Sequence, residues 1–207
     1  MQIVKPFLLV ALCSILMLCT TVSASEFSES YHIKASNQQE GIALLQRAGL
    51  KGYVFPEKNG WVTILPQYEK YPFIPIEKLI KANESLMVYY ACAEDHGWTL
   101  NIYQKSENIL SYDCDWTYKE IRIKDNGLNL AILKKIIGKP SQEKDDHFWK
   151  KVFYPKNHND IFENELPSYN IAKLLSLPFY EWLSYDYIKK TNLEVYYKQN
   201  INIYYAK

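Results

Sequence analysis

Residues 86–116 constrain the fold more than any other part of this chain. Three runs there, 86–93, 98–104 and 109–114, are apolar or alternating, and the gaps between them are short and polar, near His96 and over 105–108. Runs of this length, rich in β-branched and aromatic residues and bounded by turn residues, read as strands. Gaps this short join only antiparallel neighbours. The segment is therefore an up-and-down three-strand meander, and the rest of the chain has to pack on it.

The preceding residues add a second pattern. Residues 31–34 read as a short strand. Ser36 is a good N-cap and Gln39 stands three positions on, which is a capping box. Ile42, Leu45 and Ala48 follow at helical spacing, and Gly49 is a natural stop. Asn59-Gly60 between 53–55 and 61–65 is a strong short hairpin signal. It places Val62 and Ile64 on one face and Trp61, Thr63 and Leu65 on the other. A loop with three prolines spans 66–75. A second helix then opens at Pro75 or Ile76 and ends near Ser85, with Ile76, Leu79 and Ile80 as its apolar stripe. Strand, helix, two strands, helix, then strands is a split β-α-β start leading into an extended antiparallel sheet. The expected class is α+β.

Beyond the meander, 128–137 reads as a helix closed by Gly138, with Pro140 just after it. Residues 141–165 are polar, with weak periodicity, and read as loop with a short strand near 148–153. Residues 169–176 and 179–190 read as helices. The alternation of Leu193, Val195, Tyr197, Ile201, Ile203 and Tyr205 predicts a late strand or hairpin. The expected organisation is a sheet unit over 25–140 and a C-terminal helix and strand extension over 141–207 packing on it.

Residues 1–24 carry the order of regions that marks a secretory signal peptide. Lys5 gives a positive start, 7–18 are apolar apart from Ser14, and Val22 and Ala24 occupy the two small-residue positions before a cut after Ala24. The apolar stretch is about 12–13 residues, short of the roughly 20 that a spanning helix needs. Leu12 precedes Cys13 and Leu18 precedes Cys19, where a lipidation signal needs a small residue. The expectation is a periplasmic or secreted protein that meets the membrane only through this segment, before cleavage.

Of 207 residues, removing 24 leaves 183, one ordinary domain. Lys5 is the one charge removed, so the formal charge falls from +1 to 0. Arg47 and Arg122 are the only arginines. Phosphate and base recognition favour the arginine fork, so nucleic acid is not an expected partner. Cys92 and Cys114 remain after the signal. The meander places them on its first and third strands, nearly 10 Å apart at a strand spacing of about 4.8 Å. A disulfide spans at most about 7 Å between α-carbons, so a bond between them would require another strand order.

Glu94-Asp95-His96 at one turn and Asp113 with Asp115 at the end of the third strand are the candidates for a metal site or proton transfer, with Asp95, His96 and Asp113 as ligands. Turn chemistry is the stronger account of acidic residues there. His147 and His158 lie in polar stretches that read as solvated loop. No H-E-x-x-H, G-x-S-x-G, P-loop or paired C-x-x-C occurs, and no cofactor is expected. Trp61, Trp98, Tyr103 and Trp116 are the candidate binding residues. Trp61 and Trp98 stand at strand starts, where partial exposure would let them stack on a ligand; core packing is the competing reading. All 18 tyrosines fall after residue 30, and tyrosine suits both half-buried strands and recognition surfaces.

The sequence Y-V-F-P-E-K-N-G-W-V-T-I-L at 53–65, then 86–112 with His96 and Trp98, then 171–183, resembles a pattern in small uncharacterised bacterial α+β proteins built around an Asn-Gly-Trp hairpin. The resemblance covers about half of the chain after the signal and implies no catalytic residue. By elimination and composition the expected function is binding, most directly recognition of another envelope protein in the manner of an immunity protein or inhibitor. Glycan or peptidoglycan binding through exposed aromatics is the alternative. An envelope hydrolase or metal-binding protein is the third.

Overall fold

The computed structural model of the chain describes residues 25–67, 74–163 and 165–207. The export segment 1–24 and most of the proline loop at 66–75 lie outside the described residues. The elements run β1 (Phe27–Lys34), α1 (Gln38–Ala48), β2 (Gly52–Val54), β3 (Trp61–Pro66), α2 (Glu77–Ala82), β4 (Leu86–Ala93), β5 (Gly97–Gln104), β6 (Glu107–Asp115) and β7 (Arg122–Gly127). There follow α3 (Leu130–Ile137), α4 (Lys139–Gln142), α5 (Asp146–Phe153), α6 (His158–Phe162), α7 (Pro167–Leu174), α8 (Tyr185–Lys190), α9 (Glu194–Lys198) and β8 (Tyr204–Ala206).

The eight strands form one antiparallel sheet in the order β7-β6-β5-β4-β1-β3-β2-β8, and the fold is α+β. β1 and β2 both run antiparallel to β3, which lies between them. β3 and β4 both run antiparallel to β1. Two interlocked split β-α-β units result, the β-α-β-β-α-β arrangement known as ferredoxin-like. The meander extends it on one side and β8 on the other.

Local chemistry explains most of these elements. In α1 the N-cap is Asn37, one residue after the expected Ser36. The Asn37 side chain accepts from the Glu40 amide at 3.3 Å, and Glu40 accepts from the Ser36 amide at 2.8 Å, so the box exists with shifted members. The β2–β3 hairpin turns through Asn59 (φ 58°) and Gly60 (φ 76°), the left-handed pair that a two-residue type I′ turn requires. Cys92 pairs across to Trp98, and Trp98 to Cys114. A whole strand separates the two thiols, both free and buried. Burial pushes Cys92 up to about 12 and Cys114 to about 11.

Both faces of the sheet are covered. On one face α1 and α2 pack Ile42, Leu44, Leu45 and Leu79 against Ile33, Val62, Ile64, Met87 and Tyr89. On the other, α3, α5, α6 and α7 bring Leu133, Trp149, Phe153, Ile161 and Ile171 onto Trp61, Val88, Trp98, Leu100, Tyr112 and Cys114. A third cluster joins Phe55 and Leu65 to Leu183, Tyr185, Ile188 and Ile203 of the C-terminal segment.

Several expectations change, and the loop expected over 141–165 is largely helical, with α5, α6 and the end of α4 in it and His158 half-buried on α6. Residues 148–153 are helical: Asp145 caps α5 by accepting from the Phe148 amide at 2.8 Å, and Trp149, Val152 and Phe153 make one buried stripe at i, i+3 and i+4. Helix from 179 to 190 starts only at Tyr185, because Phe179 (φ 53°) and Trp182 (φ 48°) hold the chain in the left-handed region. The alternation from 193 resolves into the short helix α9, and only Tyr204–Ala206 pairs as a strand, on β2.

Candidate functional site

The aromatic residues singled out in the sequence do not form an exposed platform. Trp61, Trp98, Trp116 and Tyr103 are between 1% and 5% exposed. Trp61 Nε1 donates to the Leu175 carbonyl and Trp116 Nε1 to the Glu94 carbonyl, both at 2.9 Å. Trp98 packs on Tyr112 and Phe153 at ring separations of 4.9 and 5.8 Å. Positions beside turns would be open on a sheet with one bare face; here helices cover both.

The acidic turn is open to solvent. His96 Nδ1 lies 2.5 Å from Asp95 Oδ1, and this contact holds the Asp95 carboxyl below the usual carboxylate range. Asp113 Oδ2 accepts from Thr99 Oγ1 at 2.8 Å, and Lys124 stands 3.9 Å from its other oxygen. The β5–β6 register brings His96 and Asp113 to one shallow cavity of about 220 Å³, with Thr99, Asp115 and Thr117 in its wall. Asp95 is not in that wall. Among the described residues no three His, Cys, Asp or Glu side chains are grouped to hold a metal ion. The expected trio is thus split: one carboxylate is engaged by its neighbouring imidazole, the other by a threonine hydroxyl.

A polar seam on β1 went unread in the sequence. Ser28, Ser30 and His32 lie on the face that the C-terminal segment covers, and all are fully buried. Ser30 Oγ is 2.9 Å from His32 Nε2, and Thr63 Oγ1 is 3.1 Å from His32 Nδ1. Thr63 Oγ1 also lies 3.4 Å from the Pro178 carbonyl. One proton assignment satisfies the whole relay: Ser30 donates to Nε2, Nδ1 donates to Thr63, and Thr63 donates to Pro178. It requires a neutral ring, and burial lowers His32 to about 3. The relay is sealed from solvent and fastens the 176–184 segment to β1 and β3.

That segment continues over Glu26, itself 5% exposed. Glu26 Oε1 accepts from the Trp182 amide at 2.9 Å and from Ser28 Oγ at 3.1 Å, and its Oε2 accepts from the Tyr169 hydroxyl. Leu183 closes the fastening: its amide donates to Ser28 Oγ at 3.2 Å and its carbonyl accepts from the Glu29 amide at 2.7 Å. Burial, opposed by the Trp182 and Ser28 hydrogen bonds, raises the Glu26 carboxyl above its ordinary value.

The result is that Trp182 points outward. It is 48% exposed, while the other four tryptophans are buried. Left-handed backbone costs a non-glycine residue about 1–2 kcal/mol, so this presentation is maintained by the anchoring below it. The indole stacks on Tyr187 at 6.4 Å between centroids and 27° between planes, and Tyr187 meets the edge of Phe27 at 6.5 Å. Trp182, Tyr187, Lys190, Thr191 and Tyr196 line an open cavity of about 360 Å³. Val195 and Tyr197 on α9 are also exposed. The surface combines aromatic faces, the Lys190 ammonium and the hydroxyls of Thr191, Tyr187 and Tyr196, which suits binding. Comparison with protein-family models, curated proteins and solved structures finds no match to this chain.

Proposed function

We propose that this chain is an exported bacterial envelope protein that works by recognising another protein, in the manner of an immunity protein or inhibitor, through the surface around Trp182. The observation that carries this reading is the one exposed tryptophan, fixed in place by a buried carboxylate and stacked on Tyr187. Tryptophan and tyrosine held rigidly at a surface bring large contact area at small entropic cost and dominate interface energetics. The near-zero charge and the two arginines argue for a contact of this kind over an electrostatic one. Among the described residues no helix is long and apolar enough to cross a membrane. Export rests on residues 1–24, and the exported protein is expected to begin at Ser25. The test is a pull-down from envelope extract with the protein and its Trp182→Ala variant. A stoichiometric partner retained by the first and lost by the second supports the reading; equal recovery, or no partner, overturns it.

A glycan ligand is the second reading, favoured by the cavity that three aromatic residues, Trp182, Tyr187 and Tyr196, line together with Lys190 and Thr191. It predicts a change in Trp182 emission on adding peptidoglycan fragments, and a flat titration removes it.

A further inference from the structure

Glu26 is a buried carboxylate; in a chain that begins at Ser25 the nearest cation in sequence is the α-ammonium of that residue. Its hydrogen-bond donors are the Trp182 amide, Ser28 Oγ and the Tyr169 hydroxyl. The charged groups that face it are Glu94, beyond the end of β4, and Glu181 in the covering segment, both of which oppose its ionisation. Tyr90 and Cys92 of β4 and Tyr180 of the covering segment complete its surroundings. Among the described residues no lysine, arginine or histidine forms an ion pair with it. Burying a carboxylate that forms no such pair is costly, and an amide in its place would accept the same backbone hydrogen bond. The bond from Trp182 nevertheless ends on this carboxylate, and it ends there at the residue whose φ is +48°.

We propose that Glu26 is the positioning residue of the recognition surface: its carboxylate holds the left-handed backbone at Trp182, so that the indole is presented on Tyr187 and its presentation follows the protonation of Glu26. The proposal rests on Trp182 being the contact residue only for its biological meaning; the positioning itself is independent of any partner. A charged acceptor makes a stronger bond to a backbone N–H than a neutral one does. Protonation or replacement of Glu26 therefore loosens the Trp182 backbone first, while the seam at Ser30, His32 and Thr63 keeps Pro178 in place.

The experiment is amide hydrogen exchange by NMR on the chain from Ser25, with Glu26→Ala and Glu26→Gln. The Leu175 amide, bonded to the Ile171 carbonyl in α7 at 2.9 Å, serves as the internal reference. In Glu26→Ala the Trp182 amide is expected to exchange at least about tenfold faster relative to Leu175, the change that loss of about 1.4 kcal/mol brings. Glu26→Gln is expected to fall between that variant and the parent. Unchanged relative exchange in a folded Glu26→Ala overturns the proposal. If Glu26→Ala does not fold, the parent protein decides. The Trp182 amide proton is expected to shift upfield as pH falls, with the same midpoint as the Glu26 carboxyl carbon and above that of an ordinary glutamate; separate midpoints, or no shift, overturn the proposal. A partner that binds Trp182→Ala as well as the parent would instead remove the recognition reading and leave Glu26's role standing.

Discussion

His32 and Thr63, on neighbouring strands and paired in register, meet at 3.1 Å between Nδ1 and Oγ1 in a region that no water reaches. Burial with no acidic partner among the described residues keeps the imidazole neutral in the folded protein, with Ser30 at the other ring nitrogen. Its folded pKa is about 3 against an ordinary 6.5. Between those two values the unfolded chain binds the proton and the folded chain does not, so stability falls as pH falls, by up to about 1.4 kcal/mol per pH unit. Glu26 has the opposite sign. Its raised pKa makes its contribution most favourable at low pH, and that contribution is lost as pH rises through the folded value. The two partly offset each other just above the ordinary glutamate range, and the His32 effect stands alone below it. Urea unfolding at pH 7 and pH 4, compared between the parent and His32→Gln, isolates the histidine. The variant is expected to be less stable at pH 7 by about 1–3 kcal/mol and to lose less on acidification. A constant difference between the two proteins at both pH values would contradict this account.

Cys92 and Cys114 flank Trp98 on adjacent strands. Their burial and raised pKa values make both thiols unreactive while the sheet is intact. A thiol reagent at pH 8 is expected to label neither in the folded protein and both after denaturation, without a reductant. Labelling that requires prior reduction would mean that the strand order, and hence the meander, differs from the one described.

Gly97 opens β5 with φ 153° and lies against β6. A β-carbon at this position would stand 2.2 Å from the Cys114 carbonyl oxygen, a backbone atom that cannot swing aside. Gly97→Ala is expected to cost about 3 kcal/mol, the upper end of the ordinary single-site range, and to disturb the groove shared by His96 and Asp113. Denaturant unfolding measures it; a loss below about 0.5 kcal/mol would show that the β5–β6 approach is looser than the register implies.

What the sequence disclosed and what it concealed divide along physical lines. Asn59-Gly60 and the runs at 86–116 announce themselves because turn chemistry and period-two patterning act over a few residues. The helix at 146–153 was hidden because Phe148, Trp149, Val152 and Phe153 favour strands by type, and their helical stripe gains meaning only against Tyr112 and Trp98 across the chain. β1 extends beyond the expected 31–34 because Ser28, Glu29 and Ser30, poor strand residues in isolation, find partners in the fold: Leu183 for Ser28 and the Glu29 amide, Tyr89 for the Glu29 carboxylate and His32 for Ser30. The same non-local logic misplaced the binding residues. Exposure of a tryptophan depends on what covers the sheet, and no local signal separates Trp98 from Trp182.

That contrast gives the most direct check on the candidate site. Trp98 and Trp182 are chemically identical and occupy opposite environments, one packed between Tyr112 and Phe153, the other open above Glu26. Trp98→Ala removes a buried ring and is expected to destabilise by about 3–5 kcal/mol. Trp182→Ala removes an exposed ring and also relieves little of the fold, so its stability change is expected within about 0.5 kcal/mol. Binding should rank them the other way. With a recovered partner in hand, Trp182→Ala is expected to weaken the complex by about 2 kcal/mol or more, roughly thirtyfold. Calorimetric titration beside urea unfolding for both variants reads the two scales together. If Trp182→Ala unfolds the protein as readily as Trp98→Ala, the indole is a core element at the edge of the third cluster, and the recognition surface has to be sought elsewhere.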